Sequence, residues 1–167
     1  MKVKREGLVD EYITEALLML MKNKDYKDVS ITDICEKAGV TRMSFYRNFE
    51  SKEDVLNKWL TAVTDDFLST SGISYKNDSN GEYFVKLFTH LKKHGTICQA
   101  MNKAGLIHLV KDQFDRVFLG IHRDEYDDYK SYFLAGGIYN VFLLWLINGC
   151  KETPEELATR MEGMLVK

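Results

Sequence analysis

Apolar side chains recur along this chain at intervals of three and four, and no segment alternates with the period of two that a half-buried strand needs. Leu8, Tyr12, Ala16, Leu17, Leu20 and Met21 share one helical face. Ile31, Ile34, Cys35 and Ala38 form a shorter stripe, and Phe45 and Phe49, four apart, a third. Val55, Leu56, Trp59, Leu60, Val63 and Phe67 continue a fourth that leads away from the first three. Residues 69–81 then lose the spacing and turn to Ser, Gly, Asn and Asp, which predicts an exposed loop. Beyond it the pattern gives helices over 82–94, 96–104 and 106 to about 122, with Gly95 and Gly105 as stops. After an acidic turn at 124–128, a helix over 127–148 is apolar on nearly every face, which predicts burial on all sides. Thr153, Pro154 and Glu156 open a last helix whose apolar side is Leu157, Met161, Met164 and Leu165.

The predicted fold class is therefore all-α. A three-helix head occupies residues 1–50, a connecting helix 51–68, and a helical body 69–167. The boundaries inside the head carry strong local signals. Ser30 with Asp33 has capping-box spacing, Gly39 can take the positive φ that ends a helix, and Val40 plugs the turn. Thr41 then caps a second short helix, and Ser51 with Asp54 caps the next. With Phe45 and Phe49 turned inward, Arg42, Met43, Ser44, Tyr46 and Arg47 fall on the exposed side. A protruding helix with those side chains can set donors against base edges and phosphates in a major groove. Lys52, beside a helix start, is placed for a phosphate oxygen.

Composition changes this picture little. The 167 residues are 45% apolar with a single proline and a net charge of −2, and the first 60 carry as many acidic as basic side chains. A nucleic-acid role must rest on local placement, at residues 40–52 and at the cluster Lys2, Lys4 and Arg5. Cys35, Cys98 and Cys150 are odd in number and widely spaced, so a reducing cytoplasm is expected rather than a disulfide framework or zinc site. Glu6, Asp10 and Glu11 interrupt the start, which argues against a signal peptide. The apolar run 132–147 falls short of the ~20 residues a membrane span needs. His90 and His94 stand four apart, as helix-borne metal ligands would, but lack an intervening Glu and a third ligand. No nucleophile elbow, phosphate-cradling loop or acid-base arrangement is present, so neither an enzyme nor a cofactor is expected.

The run Ile34-Cys35-Glu36-Lys37-Ala38-Gly39-Val40-Thr41, then Phe45-Tyr46-Arg47-Asn48-Phe49 and Ser51-Lys52-Glu53, resembles the DNA-binding head of TetR-type transcriptional regulators. The resemblance covers roughly the first third of the chain and implies a base-reading helix over 41–49. It places Arg42, Met43, Ser44 and Arg47 near the bases and Thr32, Tyr46 and Lys52 on phosphates, with Thr41, where the reading helix begins, among the DNA-binding residues. Met43 stands where the family usually has a small residue, often Gly. The family also implies a cytoplasmic homodimer on a near-palindromic double-stranded DNA operator, acting as a repressor released by a small-molecule effector. Its two reading helices would sit about 34–36 Å apart.

In the body, Gly136-Gly137-Ile138 through Trp145-Leu146 and the final helix resemble the family's dimerising pair. That implies an interface at Gly136, Tyr139, Leu143, Leu157, Met161 and Met164. Tyr83, Phe84, Leu87, Phe88, Leu91, Met101, Phe114, Phe118 and Tyr139 are candidates for an effector cavity, although aromatic stripes at helical spacing more often form plain core. Two alternatives stay open: a DNA-binding head whose body docks a protein coregulator, and a small metal-dependent helical enzyme built on His90 and His94.

Overall fold

The computed structural model of the protein describes residues 3–72, 80–121 and 127–165, and the regular elements among them are all helical. Helix α1 (Val3–Met21) leads through a 3₁₀ turn, Tyr26–Asp28, to α2 (Ile31–Ala38), α3 (Arg42–Asn48) and α4 (Lys52–Thr70). The body comprises α5 (Asn80–Lys93), α6 (Gly95–Lys103), α7 (His108–Asp115), a π-helical segment Arg116–Ile121, α8 (Asp128–Ile147) and α9 (Pro154–Leu165). The segments 73–79 and 122–126, which contain most of the expected loop and acidic turn, lie outside the described residues.

The head closes because α1 packs across α2, α3 and the start of α4. Ile13, Leu17, Ile34, Phe45, Val55 and Leu56 meet there with no exposed surface. The buried face of α1 is centred on Ile13, Ala16, Leu17 and Met21, whereas Leu8 and Tyr12 are about half exposed. Apolar residues surround this helix at 8, 9, 12, 13 and 19, so periodicity alone left the inward direction ambiguous by one residue. Capping follows the predicted chemistry. Ser30 Oγ accepts the Asp33 N–H at 3.0 Å, and the Asp33 carboxylate accepts the Ser30 N–H at 2.9 Å.

In the body, α5 lies along α9, and α8 packs against α6, α7 and the π segment. The predicted helix over 106–122 is two pieces: a short α7 and a π turn, where the wider i→i+5 spacing redirects Val117 and Phe118. The start of α9 has the predicted reciprocal cap, with Thr153 N–H donating to Glu156 Oε2 at 2.8 Å and Glu156 N–H to Thr153 Oγ1 at 3.2 Å.

Helix α8 departs from the expectation of burial on all sides. Leu134, Ala135, Ile138, Phe142 and Trp145 enter the core, but Tyr129, Tyr132, Phe133, Leu144 and Ile147 are 61–90% exposed. At 20 residues it is long and apolar enough to cross a membrane by length and composition, contrary to the estimate from 132–147, yet one whole face of it belongs to the core of this fold. Gly136 and Gly137 sit within the exposed stripe, and a Cβ at either would meet nothing within 4 Å.

Candidate nucleic-acid interface and body cavity

Gly39 ends α2 at φ 67°, and its turn is closed by Val40 N–H donating to Cys35 O at 3.0 Å. The left-handed φ is the conformation glycine reaches without strain. Thr41 Oγ1 then accepts the Ser44 N–H at 3.1 Å and lies 3.1 Å from Ser44 Oγ. The Ser44 and Thr41 hydroxyls are thus committed first to building the start of α3. Phe45 and Phe49 are buried with ring centroids 5.9 Å apart, and Tyr46 sets its ring edge-on to Phe45. These contacts hold α3 in one rotation about its axis.

That rotation turns Arg42, Met43, Tyr46 and Arg47 outward, with Met43 80% exposed. Neither arginine has a hydrogen bond or ion pair among the described residues. Two free guanidiniums, a half-exposed phenol and a thioether project from one short helix, alongside exposed Thr32 on α2. Such a helix can offer bidentate donors to guanine and an apolar contact to a thymine methyl. Lys2 and the side chains of Lys4 and Arg5 lie outside the described residues.

Lys52 is placed differently from the expectation. Its ammonium donates to Tyr26 O at 2.8 Å and Val29 O at 2.5 Å, and sits 4.2 Å from the Tyr26 ring centroid. Burial pushes its pKa down, partly offset by Asp28 and Asp33. The side chain ties the loop before α2 to the start of α4 instead of reaching outward. Lys52→Met is expected to lower the stability of the head by about 1–3 kcal/mol, since it strands two carbonyls. Denaturant unfolding measures this, and an unchanged midpoint with lost DNA affinity would return Lys52 to the phosphates. The cap of α4 also shifts: Ser51 Oγ accepts Asp54 N–H at 3.0 Å, but the Asp54 carboxylate takes the N–H of Glu50.

The far end of the reading helix is fastened to α4. Lys58 donates to Asn48 O at 2.9 Å, pairs with Asp54 at 3.0 Å, and lies 4.9 Å from the Phe49 ring centroid. Further along, α4 is joined to α7 and the π segment by Thr61 with Gln113 (3.3 Å) and by Asp65 with Arg116 (2.8 Å). Helix α4 is therefore tied at its start to the end of α3 and further along to the body.

Between α4, α5, α7 and the π segment lies an apolar cavity of about 70 Å³. Of the sequence candidates, Tyr83, Leu87, Leu91, Phe114 and Phe118 line it. Phe84, Phe88 and Met101 are fully buried in the core, and Tyr139 stacks its edge on Phe114 without lining the cavity. The sequence reading missed the wall formed by α4, notably Trp59, Val63 and Phe67, and also His90 and His94. These histidines stack on that wall, and burial depresses both pKa values, that of His90 to about 4. Among the described residues no group of three or more His, Cys, Asp or Glu could hold a metal ion.

The proposed interface residues also divide. Gly136 and Leu143 are half-buried and Met164 is 68% exposed, whereas Tyr139, Leu157 and Met161 are buried within their own subunit. Their apolarity serves the packing of α8 and α9 onto the body.

A three-helix head that projects a short capped helix, rigidly joined to a larger helical body, defines a helix-turn-helix regulator. The family model described as "Bacterial regulatory proteins, tetR family" matches residues 13–58, and that described as "Transcriptional regulator C-terminal region" matches 78–167. The chain belongs to the tetR family, whose members are DNA-binding transcriptional regulators rather than enzymes. It is similar to the uncharacterized HTH-type transcriptional regulator YxbF of Bacillus subtilis (strain 168), at 26% identity over 89% of this chain. The match spans 42% of that relative's length. Two solved structures share the fold. One is a TetR transcriptional regulator from Streptococcus agalactiae 2603V, with TM-score 0.71 and 19% identity over 99% of this chain and 98% of that one. The other is the dihydroxyacetone kinase operon activator DhaS, with TM-score 0.66 and 18% identity over 94% and 93%.

Proposed function

We propose that the protein acts in the cytoplasm as a homodimeric repressor, placing α3 of each subunit into successive major grooves of a near-palindromic operator and leaving it when a small molecule enters the body. One observation carries this reading. Helix α4 is fastened to the reading helix at Lys58 and Asn48 and, from Trp59 onward, forms a wall of the cavity. A ligand that favours one position of α4 changes the spacing of the two heads by its differential affinity for the two states.

The dimer is supported by the exposed stripe on α8. Tyr129, Phe133, Gly136, Asn140, Leu144 and Ile147 follow helical spacing, and Tyr132, Gly137 and Leu143 flank them. Interior helical glycine costs about 1 kcal/mol relative to alanine. Nothing within the subunit crowds either glycine, so close approach of a partner helix is the physical reason for them. The cavity favours a small ligand over a protein coregulator as the signal.

Base reading is assigned to Arg42 and Arg47, with Met43 and Ser44 beside them, and backbone contact to Thr32, Thr41 and Tyr46. Selection of bound sites from random duplex DNA tests this. Arg42→Ala is expected to relax preference at one position of each half-site, a loss of about 1–3 kcal/mol. Tyr46→Phe is expected to weaken all sequences alike. Identical selected sites for Arg42→Ala and the native protein would overturn the assignment.

A further inference from the structure

The walls of the cavity are hydrocarbon and aromatic, and nearly every polar group among them is already engaged. Thr64 donates its hydroxyl to Leu60 O at 2.8 Å. Gln113 donates to Thr61 and accepts from Arg116 Nε at 3.1 Å. Burial pushes the Cys98 thiol up to about 12, so it stays protonated and apolar in character. The exceptions are the Trp59 indole N–H and the imidazoles of His90, on α5, and His94, in the turn directly after it, the two imidazole centroids being 5.0 Å apart. Their ring nitrogens have no hydrogen-bond partner among the described residues.

The surroundings keep both imidazoles neutral. Desolvation is the first cause for each; His94 and then Lys93 add to it at His90, where Asp66 on α4 opposes it, and Lys93 adds to it at His94. A neutral imidazole offers one donor and one acceptor nitrogen. Each ring is also fixed in place, His90 stacked 4.2 Å from Phe67 and His94 edge-on to Trp59 at 5.5 Å. Two ring-stacked, uncharged, half-buried imidazoles without a hydrogen-bond partner in the protein therefore line a largely apolar chamber.

Resting on the effector reading above, we propose that this chamber binds a neutral, single-ring hydroxylated aromatic molecule. Its ring lies among Trp59, Phe67, Phe114 and Phe118, and its hydroxyl exchanges hydrogen bonds with His90 and His94. A charged ligand is disfavoured because no Lys or Arg lines the cavity, and an unpaired buried charge is costly. A plain hydrocarbon gains no hydrogen bond from the imidazoles. Size sets the upper limit. The cavity is far below the roughly 300–1,000 Å³ of drug-sized sites, and below the roughly 150 Å³ of an apolar cavity known to take benzene. One ring therefore enters only by displacing a wall, and under the effector reading α4 is the wall whose displacement reaches the reading helix.

The test uses the native protein and three probes, phenol, toluene and benzoate, with binding followed by calorimetry and by quenching of tryptophan fluorescence, to which both Trp59 and Trp145 contribute. Phenol is expected to bind at least about tenfold tighter than either other probe, the ratio one neutral hydrogen bond supplies. His90→Phe and His94→Phe keep an aromatic ring at each position. Each is expected to lower phenol affinity about tenfold and leave toluene binding unchanged, with folding checked by thermal unfolding. Equal binding of phenol and toluene to the native protein, or no binding of phenol, overturns the proposal without recourse to any variant. Operator affinity is measured in parallel. Phenol binding that leaves it unaltered overturns the effector reading while the ligand class stands. Release by another compound, with phenol inert, overturns the ligand class alone.

Discussion

Phe133→Arg combined with Leu144→Arg is expected to yield a folded monomer whose operator affinity has fallen about a hundredfold or more. Both side chains are exposed on α8, at 68% and 61%, and neither belongs to the core of its own subunit. Their replacement should therefore leave the thermal unfolding of the subunit body largely intact. In a two-fold interface each substituted position meets its own copy or a close neighbour across the axis, so four guanidiniums would be forced together without counter-ions. The DNA consequence follows from linkage of the two heads. Once one head is bound, the second finds its half-site at an effective concentration set by the dimer, and that advantage disappears in a monomer. Sedimentation gives the oligomeric state and operator titration the affinity. A variant that stays dimeric would move the interface elsewhere. A monomer with undiminished affinity would show that the two heads do not act as one unit.

The head was readable from sequence because its instructions are local. Ser30 with Asp33, Gly39, Thr41 and Ser51 each act within four residues, and each acts on the predicted backbone groups except for the one-residue shift at Asp54. The anchoring of Lys52 was not legible because its partners, the carbonyls of Tyr26 and Val29, are more than twenty residues away. The same limit governs the body. Sequence spacing identified α5, α7 and the π segment as aromatic-rich, and five of those residues line the cavity. Nothing local to α4 marks Trp59, Val63 and Phe67 as facing a cavity rather than plain core, because that depends on where α5 and α7 come to rest.

Helix α8 shows the limit most directly. A helix apolar on every face carries no moment to say which side meets its own subunit, so Tyr139 was assigned to the interface although it packs on Phe114, while Phe133 and Leu144 were not distinguished. The glycines offered a better signal. Under the dimer proposal, Gly136 and Gly137, which nothing crowds within the subunit, lie on the face offered to a partner helix.

The second large effect concerns the support of the reading helix. Helix α3 has seven residues, too few to persist in water without tertiary packing. Phe45 supplies most of that packing, having no exposed surface and touching the rings of both Tyr46 and Phe49. Phe45→Ala is expected to destabilise the head by about 3–5 kcal/mol, the range for truncating a buried phenylalanine. Because that loss is a large part of the stability of a small domain, α3 should fray in the variant, scattering Arg42, Met43 and Arg47 before any DNA is met. Retention on duplex DNA should then vanish even at low salt. Amide exchange provides the decisive contrast: protection should collapse across residues 31–49 and persist in α5 and α8, whose packing does not include Phe45. Phe45→Leu, which keeps most of the volume, should restore both protection and binding to near-native levels. If Phe45→Ala lost protection in the head yet kept its operator affinity, the DNA would be ordering α3 on contact, and the preformed orientation of that helix would cease to explain recognition.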